Sequence, residues 1–312
     1  MILVFGSLNM DLVFAVETLP RAGETILTEA YRTVAGGKGA NQAVAAARAA
    51  GRPGTVAMAG CVGEDGFGEV LIQAVGGAGV DVAAVARSPR PTGCASIMVD
   101  RDGRNVITVA SGANLDAAHA LVPEDWLDSG TVVLLQNEVP PEENRALARR
   151  ARARGAHVIL NAAPARPLPA PDWTGLLDLL IVNESELEAI GGPGPDAAAA
   201  LARALGTPVL ATLGAEGAVL TRPDGGGLRV GVLPGLGIVD TTAAGDGFLG
   251  ALAAALHEGA DMAAALRRAS VAGGLACTRP GAQPSLAARA EIEARLGDLA
   301  PAEPFWSTIA SD

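Results

Sequence analysis

Residues 131–161, "TVVLLQNEVPPEENRALARRARARGAHVILN", contain two short apolar runs separated by a helical pattern. The runs "TVVLLQ" (131–136) and "HVILN" (157–161) are typical of buried strands, and the segment between them predicts a helix over Pro141–Arg154. Strands connected in this way lie parallel in one sheet, because the chain needs a helix-length crossover to return in the same direction. The stretch therefore predicts an α/β fold.

The same alternation of strand and helix continues in both directions along the chain. Apolar strands separated by helices indicate a mostly parallel sheet covered by helices on both faces, which makes three layers. The further predicted strands are "ILVF" (2–5), "LLIVN" (179–183) and "PVLATLG" (208–214). The further predicted helices are Lys38–Ala50, Phe67–Val75, Asp196–Leu205, Gly245–His257 and Asp261–Cys277.

Two segments outside this alternation have the period-two pattern of antiparallel hairpins. Residues 12–33 carry turn residues at 20–23, "PRAG", and residues 94–109 carry them at Asp102-Gly103. We expect both hairpins at one edge of the main sheet, as a small β lid over a site. The loop "GGPGPDAAAA" (191–200) is no domain boundary, because the pattern continues on both sides of it, so residues 1–312 are expected to form one α/β domain.

Composition and charge narrow the class of protein. Hydrophobic residues make up 49% of the 312 residues, which is enough for a buried core. The chain has 23 Lys and Arg residues and 34 Asp and Glu residues, which gives a net charge of −11. A nucleic-acid partner is not expected, because binding phosphates requires a basic surface. No apolar run reaches membrane-spanning length, and the N-terminal stretch becomes polar too early for a signal peptide, so we expect a cytoplasmic protein without a membrane partner. Cys61, Cys94 and Cys277 lack metal-ligand spacing and are expected to be reduced core thiols.

The segment "VAGGKGANQ" (34–42) places the only lysine of the chain, Lys38, at a glycine-rich helix start. Gly36 and Gly37 allow positive φ and close backbone approach, and the first N–H groups of a helix can bind an anion or a sugar oxygen. The segment is not a Walker A loop, which requires Gly where Arg32 stands and Ser or Thr where Gly39 stands. Simple turn chemistry remains an alternative for the glycines.

The segment "VDTTAAGDGFLGALAAALHEG" (239–259) begins a second such helix. Its Ala243, Ala244 and Gly245 are small enough for their N–H groups to converge on a developing phosphate charge at a helix N-terminus. Asp246 follows in the first turn, where a carboxylate beside an anion hole is a candidate general base. The alternative is that Asp246 only caps the helix, although the run of small residues after Asp240 favours close backbone approach to a ligand.

Three shorter motifs are weaker individually. "GSLNMD" places Asn9 and Asp11 just after the first strand, and "QNEVP" places Glu138 after another, at the carboxyl edge where open α/β sheets bind ligands. "VNESE" spaces Asn183 and Glu186 for outer-shell magnesium contacts or, equally, for a helix start. Polar loop residues without a ligand remain the alternative for the first two motifs.

Seven motifs together resemble the ribokinase-like carbohydrate kinase family, in which they occur in the same order. The resemblance runs from Gly6 to Ser285, and "GGKGANQ" with "GAQPS" points to the ribose-phosphorylating members. It implies a ribokinase-like α/β fold, ATP-dependent phosphorylation of D-ribose at its 5-hydroxyl, and ATP, Mg²⁺ and K⁺ as cofactors. The motifs are "GSLNMD", "GGKGANQAVAAAR", "GCVGEDGFG", "LNAAPARPLP", "VNESE", "DTTAAGDGF" and "TRPGAQPS".

Carried over residue by residue, the resemblance implies four groups of contacts. Asp246 would deprotonate the sugar 5-hydroxyl, with Ala243, Ala244 and Gly245 as the anion hole. The sugar would be bound by Asn9, Asp11, Gly37, Lys38, Asn41, Glu138 and Asp246. Asn183 and Glu186 would contact phosphate and magnesium-bound water, with Thr212, Gly214 and Gly245 beside ATP. The K⁺ loop would use backbone or side-chain atoms of Asp240, Thr242, Ala276, Arg279, Gly281 and Ser285.

Two positions depart from the family pattern. Val182 stands where proline is common before Asn183, and Gly247 follows Asp246 where threonine is frequent. Neither removes a polar group assigned to chemistry, but Gly247 weakens the helix start by roughly 1 kcal/mol relative to Ala. A kinase for another sugar or a nucleoside, and a sugar-sensing protein without turnover, remain alternatives. The apolar face of the hairpins indicates a homodimer through the β lid.

Overall fold

The computed structural model describes residues 1–306, which contain two β-sheets and nine α-helices. The strands are β1 (Ile2–Phe5), β2 (Asn9–Ala15), β3 (Tyr31–Gly36), β4 (Val56–Gly63), β5 (Asp81–Ser88), β6 (Gly93–Val99), β7 (Asn105–Ala110), β8 (Val132–Gln136), β9 (His157–Asn161), β10 (Leu179–Asn183), β11 (Val209–Thr212), β12 (Ala218–Thr221), β13 (Gly226–Val230) and β14 (Glu303–Trp306). The helices are α1 (Lys38–Ala50), α2 (Gly66–Gly77), α3 (Pro141–Ala153), α4 (Ala170–Trp173), α5 (Glu184–Gly191), α6 (Ala197–Leu205), α7 (Ala244–His257), α8 (Met262–Ala276) and α9 (Arg289–Arg295).

The larger sheet has ten strands in the order β14-β13-β12-β11-β10-β9-β8-β1-β4-β5. From β5 to β11 all neighbours pair in parallel, and β12, β13 and β14 extend the sheet antiparallel. The prediction of a mostly parallel central sheet is therefore confirmed.

Alternate side chains of each central strand enter two separate cores, one on each face of the sheet. Ile2 and Val4 of β1 pack in the core formed with α1, α2, α7, α8 and α9. Leu3 and Phe5 of the same strand pack in the core formed with α3, α4, α5 and α6. Because both faces are covered, the predicted three-layer arrangement is confirmed.

The predicted strands and helices all form, with ends within two residues of their predicted limits. Strands β4 and β5 were not among the predicted strands, although β4 lies beside β1 near the middle of the parallel sheet. The β4 sequence "VAMAGCVG" is completely buried but rich in Ala and Gly, which are depleted in strands. Its strand character comes from pairing with β1 and β5 rather than from local propensity.

The smaller sheet confirms the antiparallel pairing predicted within each of the two segments, β2 with β3 and β6 with β7, and corrects their predicted position at an edge of the main sheet. Its four strands form a separate sheet in the order β3-β2-β6-β7. The two segments join each other, because β2 pairs in parallel with β6 over Asn9–Ala15 and Gly93–Val99. Residues 16–30, including the predicted turn at 20–23, contain no helix or strand. The periodic pattern and the turn residues predicted the pairing within each segment but carried no information about the parallel pairing that joins the two segments.

Helices α1 and α7 lie in close contact, which brings together the two helix starts singled out in the sequence. A Cβ on Gly250 of α7 would lie 2.4 Å from the Cβ of Ala45 in α1, so only glycine fits there. This approach places the N-terminal ends of α1 and α7 at the same edge of the sheet.

Two further sequence predictions concern membranes and thiols. Within residues 1–306, no helix combines the length and the apolar character that crossing a membrane requires. The three cysteines are unpaired, as predicted. Only Cys61 is fully buried, however, whereas Cys94 and Cys277 are half-buried, so the expectation of three core thiols is wrong for two of them.

Candidate active site

A polar cavity of about 200 Å³ lies at the carboxyl ends of the parallel strands. Its position agrees with the general rule that open α/β sheets bind ligands at this edge. The cavity joins the start of α7 to the ends of β10 and β11. It is lined by Lys38, Asn161, Ala163, Ile181, Val182, Asn183, Glu186, Thr212, Ala243, Gly245, Asp246 and Leu249.

Asp246 is 9% exposed and is held by two side chains of α1. Asn41 Nδ2 donates to its Oδ2 at 3.0 Å, and Gln42 Nε2 donates to its Oδ1 at 3.0 Å. Burial raises the pKa of Asp246, against the opposing effects of the Lys38 charge and of these two hydrogen bonds. The residue does not cap α7, since the N-cap is Ala243 and no side chain caps it, so the capping alternative is wrong. A fixed, buried carboxylate of this kind is suited to accept a proton.

The backbone before Asp246 is strained in a way that exposes N–H groups. Ala243 has φ 58° and ψ 12°, the left-handed region, and no other non-glycine residue within the described range has positive φ. In residues 1–306, the N–H groups of Ala243, Gly245 and Asp246 have no hydrogen-bond acceptor, whereas that of Ala244 donates to the Thr241 carbonyl at 3.2 Å. Strain of this kind persists where the backbone must present groups to a ligand. Two of the three predicted anion-hole amides are therefore available.

Lys38 lies among carboxylates at the start of α1. Burial disfavours its charge, but Asp246, Glu138 and Glu186 together raise the pKa of Lys38 above its ordinary value, so the ammonium stays charged. Glu138 also accepts the Lys38 backbone N–H at 3.0 Å and the hydroxyl proton of Ser7. The carboxylate thus holds the helix start from the end of β8.

The glycine before Lys38 is required by its surroundings. Gly37 has φ 89°, and a Cβ there would lie 2.7 Å from the backbone nitrogen of Asn9. The start of α1 therefore lies directly against the segment that leads from β1 into the smaller sheet. This close approach explains why the position requires glycine, and ligand binding by "GGKGANQ" stays a prediction.

Asn9 and Asp11 lie in β2 of the smaller sheet rather than in a loop. Asn9 is oriented by Asn114, whose Nδ2 donates to Asn9 Oδ1 at 2.7 Å and whose Oδ1 accepts the Leu8 N–H at 2.9 Å. Burial, together with the charges of Glu138 and Asp246, raises the pKa of Asp11 to about 7. Asp11, Glu138 and Asp246 therefore form an acidic group, which suits recognition of several hydroxyl groups.

Asn183 and Glu186 form a reciprocal capping box at the start of α5. Asn183 Oδ1 accepts the Glu186 N–H at 2.8 Å, and Glu186 Oε2 accepts the Asn183 N–H at 2.9 Å. The helix-start interpretation is correct, and both residues also line the cavity. Burial raises the pKa of Glu186. Thr212 ends β11 and lines the same cavity, whereas Gly214 lies two residues farther along in a short turn.

The predicted K⁺ residues lie in two segments joined by Asp240. Its Oδ1 accepts the Thr242 N–H at 2.9 Å and the Thr242 hydroxyl at 2.6 Å, and its Oδ2 accepts the Gly281 N–H at 2.8 Å. Burial acts in the other direction, but these hydrogen bonds lower the pKa of Asp240, which therefore stays ionised.

The other predicted K⁺ residues are Ala276, Arg279 and Ser285. Ala276 ends α8, and its carbonyl lacks a backbone donor in the described chain because Pro280, four residues on, has no N–H. The Arg279 guanidinium is engaged by Glu291, so this residue can contribute only backbone atoms. Ser285 is buried, and its hydroxyl donates to the Ala282 carbonyl at 2.8 Å.

Sequence reasoning missed several side chains that hold the site together. Gln42 belongs to the quoted "GGKGANQ" motif, but a helix position alone did not reveal its contact with Asp246. Gln136, Asn114 and Asn161 are buried amides that touch Gln42 or Asn9. A polar residue at the end of an otherwise apolar strand, as in "VVLLQ" and "HVILN", was the available signal.

Comparison with known proteins identifies the family. The family model described as "pfkB family carbohydrate kinase" matches residues 1–289. Ribokinases from Lactococcus lactis subsp. lactis (strain IL1403) and Bacillus subtilis (strain 168) are 35% and 36% identical to this chain, covering 95% of it and 97% and 99% of their own lengths. The structure of Arabidopsis thaliana ribokinase complexed with ribose and ATP aligns with a TM-score of 0.85 at 34% identity, covering 95% of this chain and 98% of that one. The chain belongs to the pfkB family of carbohydrate kinases.

Proposed function

We propose that this chain is a ribokinase, which transfers the γ-phosphoryl group of ATP to the 5-hydroxyl of D-ribose. The observation that carries the proposal is the position of Asp246, a buried carboxylate at the wall of the cavity beside backbone N–H groups that have no acceptor within residues 1–306. Relatives that bear the ribokinase name match almost the whole chain, and one solved relative holds both ribose and ATP.

The proposed chemistry needs one proton acceptor and one site for developing negative charge. Asp246 takes the proton of the 5-hydroxyl, and the resulting oxygen attacks the γ-phosphorus in line with the departing ADP oxygen. The N–H groups of Ala243 and Gly245 stabilise charge on the transferring group. Phosphoryl transfer requires little covalent participation by the protein, so positioning and electrostatics suffice.

Sugar recognition is proposed for the polar group around Lys38. Asn9, Asp11, Asn41 and Glu138 offer carboxylate and amide groups that can pair with the ring hydroxyls. The Lys38 ammonium, on its slim stem beside Gly37, can approach both the sugar and the phosphate, where a planar guanidinium would need more width. A site of paired polar groups rejects analogues that lack a hydroxyl.

Cation binding is proposed at two places whose oxygen atoms fit it. Glu186 accepts the Asn183 N–H through Oε2 only, which leaves its Oε1 for magnesium-bound water at the cavity. The loop around Asp240 offers a carboxylate and the Ala276 carbonyl, which has no backbone donor among the described residues, for K⁺. When bound, Mg²⁺ supplies positive charge to the phosphates, and K⁺ supplies charge that orders the backbone before Asp246.

We propose a homodimer through the smaller sheet, the predicted β lid. Val106, Ile107 and Val109 of β7 and Tyr31 of β3 are between 46% and 59% exposed, an unusual apolar content for an open edge strand. Sedimentation equilibrium of the wild type and of Ile107→Lys tests this proposal. Dimeric wild type and monomeric variant are the expected results, and a monomeric wild type contradicts it.

The function is tested by turnover on a panel of acceptors. Purified protein is assayed for ADP release with ATP, Mg²⁺ and either D-ribose, 2-deoxyribose, fructose or adenosine, and the product is located by NMR. We expect ribose to give the highest kcat/KM and phosphate on its 5-position. Equal kcat/KM for ribose and for fructose or adenosine contradicts ribose specificity, and ribose binding without ADP release favours the sugar-sensing alternative.

A further inference from the structure

A chain of buried amides leads from the central sheet to Asp246. Gln136, at the end of β8, is completely buried, and its Nε2 donates to Gln42 Oε1 at 2.8 Å. Gln42, also completely buried in α1, donates from Nε2 to Asp246 Oδ1 at 3.0 Å and to Asn161 Oδ1 at 3.2 Å. We call Gln136 and Gln42 the amide relay.

The direction of every hydrogen bond in the amide relay is set by Asp246. A carboxylate can only accept, so Gln42 must present its NH₂ group to Asp246, and its Oε1 then points towards Gln136. Gln136 must in turn present its NH₂ group to that oxygen. Reversing either amide would bring two oxygen atoms together, so the relay holds Gln42 in one orientation.

The orientation of Gln136 lowers the stability of the fold in a way that an apolar core residue would avoid. Its Oε1 is buried without a partner among the described residues. An amide oxygen in this state lowers stability, whereas an apolar residue of similar shape would not. The Gln136 amide also occupies space that only a glycine at position 6 leaves free, because a Cβ on Gly6 would lie 1.8 Å from Gln136 Oε1. A buried amide kept at such a cost indicates a role beyond packing.

We propose that the amide relay positions the Asp246 carboxylate for proton transfer, with Gln42 as the residue in contact and Gln136 as the residue that orients Gln42. The proposal rests on the proposed function, in which Asp246 is the general base. Asn41 holds the second oxygen of Asp246, so the relay and Asn41 together fix the rotation of the carboxylate about its side-chain bond. The relay touches no predicted sugar ligand other than Asp246, so its loss should affect turnover rather than ribose binding.

The test compares Gln42→Met, Gln136→Met and the double variant, because methionine keeps the length of glutamine and removes its hydrogen bonds. Gln42→Met should lower kcat by about tenfold to a hundredfold, the loss expected for one hydrogen bond to a charged group. The KM for ribose should stay within about threefold of the wild-type value, since no sugar contact is removed. Gln136→Met should lower kcat less, and the double variant should match Gln42→Met alone, because Gln136 acts only through Gln42.

Thr207→Val is the matched control, since Thr207 is equally buried and its hydroxyl bonds only to the carbonyls of Leu177 and Leu205. This variant should change the melting temperature without changing kcat. The amide relay is refuted by an unchanged kcat in Gln42→Met, by kcat losses that multiply in the double variant, or by a loss confined to KM. If Gln42→Met does not fold, Gln136→Met alone tests the proposal: a lowered kcat with a nearly unchanged KM supports it, and an unchanged kcat or a change in KM alone refutes it. A wild type inactive on ribose overturns the proposed function instead.

Discussion

Replacing Asp246 by asparagine removes the proposed proton acceptor while keeping the shape of the side chain. Both carboxylate oxygens accept amide N–H groups, from Asn41 and Gln42, at 3.0 Å. The new NH₂ group would face one of these donors. Asn41 can relieve that conflict, because its Oδ1 is buried without a partner among residues 1–306 and a half-turn of its amide presents that oxygen to the new NH₂.

The expected magnitudes separate the two possible roles of Asp246. With Asn41 rotated, the variant exchanges one hydrogen bond for another, so its unfolding free energy should fall by about 1 kcal/mol or less. An amide cannot take a proton at neutral pH, and loss of a general base should lower kcat by roughly 10²–10⁴-fold. This range corresponds to about 2.7–5.4 kcal/mol of transition-state stabilisation. Ribose binding should change less, because most predicted sugar contacts remain.

The assay measures kcat, the ribose Kd by calorimetry and the melting temperature on one preparation. Asp261→Asn is the matched control, because Asp261 caps α8 by accepting the Ala264 N–H at 2.8 Å and asparagine caps equally well. The control should keep wild-type kcat and a near wild-type melting temperature. An Asp246→Asn variant with kcat within a few-fold of wild type would remove Asp246 from the mechanism and refute the reasoning.

Three other predictions test the surroundings of Asp246. Lys38→Arg should lower kcat/KM by about tenfold or more despite retaining the charge, because the site depends on a slim ammonium; wild-type kcat and KM would show that the single lysine is incidental. Replacing sodium by potassium at equal ionic strength should raise kcat, since the loop around Asp240 offers oxygen ligands, and equal rates would count against that site. The pKa of Asp11 is raised from 3.8 to about 7, so the native state binds more protons than the unfolded state between these values, and stability from this group falls as pH rises through that window. Asp11→Asn should therefore gain about 2 kcal/mol more in unfolding free energy, relative to wild type, at pH 8 than at pH 5. Urea unfolding at both pH values measures this, and a gain independent of pH would contradict it.

The limits of sequence-based prediction are clearest in β4. Its alanines and glycines carry no strand signal, and the strand forms because its backbone pairs on both sides with β1 and β5. The same limit applies to the smaller sheet. Period-two alternation identified β2 and β6, but their parallel pairing joins residues more than 80 positions apart, which no local pattern encodes.

The sequence by itself determined the alternation of strands and helices over most of the chain, the three-layer α/β class, and the helix starts that carry Lys38 and Asp246. These follow from hydrophobic periodicity and from the backbone requirements of glycine, which act over a few residues. Only the tertiary structure decided that Gln42 and Gln136 lead to Asp246, that Asn114 orients Asn9, and that the carboxylates of Glu138, Glu186 and Asp246 share one lysine. The physical reason is that a hydrogen bond or a charge interaction depends on distance in space. Between Gln42 and Asp246 that distance is 3.0 Å across 204 positions of sequence, and strand order and helix packing alone set it.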